Sequence, residues 1–310
     1  MPVSHGALPV DDKPSGALVA TWKALAGMHL DPAPLPLLAG AAGACPLFRF
    51  DPGMSAQGCL LATWQGDALV AVATAAGARA EWVPDVVSAQ RRLSKGAALV
   101  IPPRGLGARW RVVLPTDATS LEGPHLASAA GDAEGPLLAL TARGDVAQRL
   151  SAQAVLTGIL AASAEEAPEG GGGVLSSGPG AVDVLRRALA EVAHTGLPFC
   201  PKAAGWLVDL TDFLSDQLLL AADAVRLAWE DSRGALANSL ASAAAANFDC
   251  AVAYVLCART TAKVGLGEAD LDPAHWGVIY DSLRQGTYHW RTAAKWLTLG
   301  LDDLQNAGES

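Results

Sequence analysis

A run of glycine, proline and glutamate near the middle of the chain limits its possible folds more than any other feature. Residues 165–169 read Glu-Glu-Ala-Pro-Glu, four glycines follow at 170–173, and residues 176–180 read Ser-Ser-Gly-Pro-Gly. Glycine leaves the backbone too free to hold regular structure, and proline ends helices. The run predicts a linker over residues 164–180 between two domains, residues 1–163 and residues 181–310.

The first domain has the pattern of a mixed α/β structure. Gly66-Asp67 is favourable turn chemistry between two apolar runs, and it predicts a hairpin of strands over residues 58–65 and 69–74. Further strands are predicted over 97–101, 109–114 and 137–141, and helices over 17–27, 84–95 and 145–163. Strands do not alternate regularly with helices, so an antiparallel sheet is expected rather than a doubly wound one.

The second domain has the pattern of an all-helical structure. Helices are predicted over residues 183–195, 202–231, 234–264 and 273–305. Pro273 suits the first turn of the last helix. Short connections between long helices are typical of an antiparallel bundle. The expected fold class is therefore α+β, an antiparallel sheet with flanking helices followed by a helical bundle.

Charge and composition narrow the classes of partner. Of the 310 residues, 51% are hydrophobic, many of them alanine, and the net charge is -9 with a pI of about 5.1. An acidic protein is a poor match for a nucleic-acid backbone or an anionic membrane surface. The most apolar stretch, residues 234–257, contains Asn238, Asn247 and Asp249 and is interpreted as a buried helix of a soluble protein.

The N-terminus and the cysteines predict a cytoplasmic protein. Residues 1–13 lack a basic region followed by an apolar core, so no signal peptide is expected. The five cysteines are odd in number and form no C-x-x-C pair, which is typical of reduced thiols.

Acidic residues recur every seven positions in the second domain. Asp209, Asp216, Asp223 and Glu230 are spaced by nearly two helical turns each, so they share one face of a helix. A solvated face of an amphipathic helix explains such a stripe. The alternative is a partner-binding role, in which these four residues form an acidic surface for a basic partner.

Two pairs of residues have a spacing found in di-metal helical bundles. Glu191 and His194 are three residues apart, and Asp272 and His275 repeat the interval. Both pairs lie at helix ends, where His194 is explained by the helix dipole and Asp272 by N-capping. No metal site is therefore expected, and these four residues are the candidates if one exists.

The last predicted helix combines aromatic and ionisable side chains. Tyr280, Tyr288, His289 and Trp290 are candidates to line a pocket, although a packed helix face accounts for the same residues. The chain has no G-x-S-x-G elbow, no phosphate-binding glycine loop followed by lysine, and no dinucleotide fingerprint. The catalytic residues of an enzyme would have to be scattered.

Two architectural resemblances follow from the order of these elements. The first domain is similar in layout to a GAF-like sensor domain. The whole chain resembles the last two-thirds of an acyl-CoA dehydrogenase, and residues 284–287, Arg-Gln-Gly-Thr, look like the turn before the final helix of that family. That resemblance would imply flavin and an acyl thioester bound between sheet and bundle, but it places no catalytic carboxylate on this chain.

These observations together favour a non-catalytic accessory, regulatory or assembly protein over an enzyme. The expected partner is a protein, including a second copy of the chain in a homodimer, and no cofactor is expected. Two alternatives remain open: a partial flavoprotein subunit of acyl-CoA dehydrogenase type, and a metal-dependent bundle oxidase.

Overall fold

The protein is α+β and contains two compact units. A computed structural model describes residues 8–9, 16–28, 30–50, 67–102, 110–115, 136–143, 150–164, 176–195, 201–230, 236–265 and 273–308. One unit consists of Met1–Leu38 and Trp64–Leu150, and the other of Ala39–Thr63 and Ser151–Ser310.

The elements are numbered along the chain. The strands are β1 Leu8–Pro9, β2 Arg49–Phe50, β3 Ala78–Val83, β4 Ala98–Ile101, β5 Arg111–Val113, β6 Leu137–Ala142 and β7 Ser176–Ser177. The helices are α1 Gly16–Gly27, α2 Leu35–Ala41, α3 Asp67–Ala75, α4 Val86–Leu93, α5 Ala152–Ala162, α6 Gly178–Thr195, α7 Pro201–Glu230, α8 Leu236–Gly265 and α9 Pro273–Gly308.

The described strands of the first unit form an antiparallel sheet in the order β1-β5-β4-β6-β3. The central strand β4 is buried on both faces. Leu99 and Ile101 pack with Leu93 of α4 on one face of the sheet. Because side chains of a strand alternate between the two faces, the equally buried Ala98 and Val100 lie on the other face. Because α1 packs against β4 and β5, it covers that second face.

In the second unit α8 lies between α7 and α9, while α5 packs on α7 and α9, and α6 packs on α9. Cys250 of α8 lies beside the backbone of Trp290 of α9. Tyr254, one turn after Cys250 in α8, lies beside Gly286, one turn before Trp290 in α9. The helices α8 and α9 therefore run antiparallel. Strands β2 and β7 pair antiparallel and pack against α6. Phe50 of β2 contacts Trp206 of α7, with ring centroids 5.9 Å apart.

Most of the predicted elements are confirmed, but the hairpin is wrong. Residues 69–74, expected as a strand, lie in α3, and residues 58–65 are outside the described part of the chain. A short apolar run cannot be assigned to strand or buried helix by periodicity alone, and its alanines favour a helix. The GAF-like layout included this hairpin as its first element, so that part of the resemblance is wrong. Strand β3, the two-residue strands β1, β2 and β7, and helix α2 were not predicted.

The turn at residues 284–287, expected from the acyl-CoA dehydrogenase resemblance, does not exist. These residues continue α9 without interruption. Gly286 is tolerated inside the helix because the ring of Tyr254 occupies the space where a side chain would lie.

The end of the predicted linker is also structured differently. Residues 165–175 lie outside the described residues, but Ser176–Ser177 form β7 and α6 begins at Gly178. Gly178 has a φ of +58°, and a Cβ there would lie 2.8 Å from the carbonyl oxygen of Ser163. This glycine makes a required turn at the start of a helix and is not part of a flexible run.

The contact at Gly286 gives a matched pair of substitutions in one helix. Gly286→Ala should lower the free energy of unfolding by about 1–3 kcal/mol, because its Cβ would lie 2.5 Å from the Tyr254 ring. Gly277→Ala should raise it by about 0.5–1 kcal/mol, because no atom lies within 4 Å of the added Cβ and alanine favours helix. Urea unfolding followed by helical circular dichroism measures both. Equal effects would show that α8 and α9 do not approach closely at Gly286.

Candidate functional site

The acidic stripe of α7 does not form one solvated face. Asp223 is exposed and pairs with Arg226 at 3.5 Å, but Asp209 and Asp216 are half-buried. The side chain of Glu230 lies outside the described atoms. Burial raises the pKa of the Asp209 carboxyl, and the neighbouring charge of Asp212 raises it further. As a surface for a basic partner, the stripe is therefore interrupted.

The four aromatic and histidine candidates of α9 do not converge on a pocket. Trp290 is fully buried and donates a hydrogen bond from Nε1 to the hydroxyl of Ser163 at 3.0 Å, whereas Tyr288 is 67% exposed. The ring of Tyr288 meets His289 edge-on at 5.5 Å. Trp290 thus belongs to the core of the bundle and Tyr288 to its surface.

Tyr280, the remaining candidate, belongs to an ion-pair network between α6 and α9 that the sequence analysis missed. Arg186 donates to the Tyr280 hydroxyl at 3.0 Å, and its guanidinium carbon lies 4.9 Å from the ring centroid. Asp183 accepts from Arg186 at 3.2 Å and from Arg291 at 2.8 Å. Residues so far apart in sequence give no local signal. The network fixes α6 on α9 by pairing the single carboxylate of Asp183 with two guanidinium groups.

The metal candidates are not brought together by the described atoms. Glu191 is exposed on α6 and His275 is half-buried on α9, while the side chains of His194 and Asp272 lie outside the described part. Among the described residues, no three His, Cys, Asp or Glu side chains form a group suited to a metal ion.

The described surface has its most regular apolar feature on α8. Phe248, Val252 and Leu256 are 54%, 50% and 49% exposed, and their spacing of four residues aligns them along one face. We call these three residues the α8 ridge. Opposite the ridge, Cys250 and Tyr254 are buried toward α9.

The ridge escaped the sequence analysis because α8 is apolar on every side. A helix with small or apolar residues all round has no amphipathic pattern that reveals its outer face. The same property makes Ala237–Val264 long and apolar enough to cross a membrane by length and composition, although half of its most apolar window is buried. Core helices of soluble proteins meet the same criterion.

Large side chains exposed on three consecutive turns of a helix are typical of a surface that another molecule covers. Covering the exposed parts of the ridge would contribute roughly 1 kcal/mol per side chain, about half of the value for complete burial. The ridge, and not the acidic stripe or the aromatic cluster, is therefore the candidate functional site.

No known protein family matches this chain, and no curated protein matches its sequence. The site must be interpreted from its own geometry.

The Trp290 hydrogen bond can be tested for its structural role. Trp290→Phe should lower the free energy of unfolding by about 1–3 kcal/mol, because it leaves the buried Ser163 hydroxyl without its donor. Trp296→Phe is the control. Trp296 is 37% exposed, so its substitution should lower the free energy of unfolding less. Chemical denaturation followed at a helical wavelength compares them. A larger loss at Trp296 would contradict the assignment of Trp290 to the core.

The raised pKa of Asp209 predicts a pH-dependent stability. Burial penalises the charged carboxyl only in the folded state, which raises its pKa there. Asp209→Asn should therefore raise the melting temperature near pH 7. The gain should shrink as the pH falls through the raised pKa, because protonation removes the same penalty in the wild type.

Asp223→Asn is the matched control for this experiment. Asp223 is exposed and paired with Arg226, so its substitution should change the melting temperature little. Thermal unfolding near pH 7 and near pH 4 gives the comparison. A lower melting temperature of Asp209→Asn near pH 7 would mean that the charged carboxylate is stabilised by its surroundings.

Proposed function

We propose that this chain is a non-catalytic binding or assembly protein whose helical unit contacts another protein through the α8 ridge. The observation that carries the proposal is the alignment of Phe248, Val252 and Leu256, each about half exposed, on successive turns of one helix. A catalytic function has no comparable support, since the candidate pocket residues separate into core and surface.

The neighbours of α8 explain why this face is open. The helices that pack along α8 in the described structure are α7 and α9, and α9 contacts the side opposite the ridge. The helices α5 and α6 pack on those flanking helices instead. A helix with two neighbours keeps part of its surface exposed, and here that part carries large apolar side chains.

Charged residues border the ridge and would give the contact its specificity. Asp249 lies next to Phe248, and Arg259 and Lys263 follow Leu256 on the next turns, all three exposed. Apolar residues with a charged border are the usual composition of a protein–protein contact. The acidic stripe is a weaker candidate, because two of its carboxylates are half-buried.

A cytoplasmic location is part of the proposal. Cys45, Cys250 and Cys257 are buried and free, as expected of a protein that folds in a reducing compartment. Burial also raises the pKa of the Cys257 thiol to about 12, so it stays protonated at neutral pH. The proposal involves no cofactor and no nucleic acid.

The ridge can be tested by removing its apolar side chains. Phe248→Ser with Leu256→Ser should abolish a stoichiometric protein contact, because both large side chains of the ridge are lost. Val87→Ser is the control, since Val87 is 58% exposed in the other unit. Tagged protein purified from its native host is measured by native mass spectrometry and absorption spectroscopy.

The wild type and Val87→Ser should both carry a protein partner, a second copy included, and the double variant should be a single chain. A bare single chain for the wild type would overturn the proposal. Extra mass and absorption matching a flavin would favour the flavoprotein alternative.

A further inference from the structure

We propose that the partner on the α8 ridge is a second copy of this chain, with the two α8 helices antiparallel about a two-fold axis at Val252. This inference rests on the proposed function and names its partner. It is carried by a symmetry in the ridge itself.

The ridge has the same spacing on both sides of its centre. Phe248 lies four residues before Val252 and Leu256 four residues after it, and the two are exposed to nearly the same extent, 54% and 49%. In a two-fold contact, residue i meets residue j of the partner and residue j meets residue i. An antiparallel pair centred on Val252 therefore sets Phe248 against Leu256 twice, a large aromatic against a branched aliphatic side chain.

The residues one step further out are complementary in size and charge. Ala245 lies seven residues before Val252 and Arg259 seven residues after it, and both are exposed. The small alanine leaves room for the aliphatic stem of the other copy's arginine. Asp249 is one turn from Ala245 on the same helix, so that guanidinium ends beside a carboxylate. The symmetry makes this ion pair twice.

A parallel arrangement of the same helices lacks these advantages. It would place Arg259 beside the same arginine of the other copy, and Asp249 beside the same aspartate. Like charges held together in a contact repel each other, and parallel helix dipoles also repel. The charges of the ridge therefore select the antiparallel orientation.

The ridge alone is smaller than the contact that a dimer needs, so exposed residues beside it must take part. The ridge exposes on the order of 250 Å² of apolar surface, whereas a stable dimer buries roughly 800 Å² per copy. Leu219 of α7 lies at about the height of Phe248, since each is about twelve residues from the α7–α8 connection. Leu219 is exposed and is the candidate to extend the contact beyond the ridge.

The first test is self-association of the full chain. Sedimentation velocity over a range of concentrations should show a dimer for the wild type. Val252→Asp should weaken self-association on the order of 100-fold, because two carboxylates would face each other at the axis. Val87→Asp, at a residue of similar exposure in the other unit, should leave the dimer unchanged. Circular dichroism verifies that both variants are folded.

Crosslinking tests the register of the two α8 helices directly, because its result is a crosslink gained and not a dimer lost. In a background with Cys59→Ser and Cys200→Ser, Val252→Cys should crosslink to itself through a short bis-maleimide. Phe248→Cys and Leu256→Cys should each crosslink poorly alone, yet crosslink to each other when differently tagged chains are mixed. Self-crosslinking of Phe248→Cys or Leu256→Cys that equals the mixed yield would overturn the antiparallel register.

The outcomes separate this inference from the proposed function. A dimer that Val252→Asp leaves intact forms through another surface, and the inference is then wrong. A monomeric chain that still binds a different protein, with binding lost in the Phe248→Ser, Leu256→Ser variant, overturns the inference and supports the proposed function. A monomer that binds no protein overturns both.

Discussion

The close approach of α8 to its two neighbours is the condition on which the helical unit depends. On the α9 side, the ring of Tyr254 fills the space that Gly286 leaves, and the thiol of Cys250 donates to the Gly286 carbonyl at 2.9 Å. Small buried residues repeat along the inner side of the helix, among them Ala243, Ala251 and Ala258. Because little volume is needed inside, several of the largest side chains of α8 are on its outer face.

The long helices could be predicted from sequence because their own residues determine them. Periodic apolar positions, a proline at the first turn of α9 and breaks before α7 and α8 fixed their limits to within a few residues. The α+β class followed from the contrast between this half and the shorter elements before it. The strands β4, β5 and β6 were also found, since each is a compact apolar run.

Elements that depend on distant partners could not be predicted. Strand β3 alternates irregularly between buried and exposed residues, and it is a strand because β6 pairs with it along its length. The apolar run of α3 fits the pattern of a buried strand and that of a buried helix equally well. The separation of Trp290 from Tyr288 and the burial of Asp209 depend on how the helices are rotated in the bundle, which spacing alone leaves undetermined. The ridge was hidden for the same reason.

The second unit is discontinuous in sequence. Residues 39–63 belong to it, although the chain passes through the first unit before returning at Ser151. Phe48 and Phe50 are buried there, beside helices that are synthesised much later. On the ribosome, this segment emerges early and then has no core to enter until α6–α9 have been made. The half-made chain thus carries an exposed apolar segment while the first unit folds. Residues that are buried in the finished protein are therefore open to unwanted contacts during synthesis.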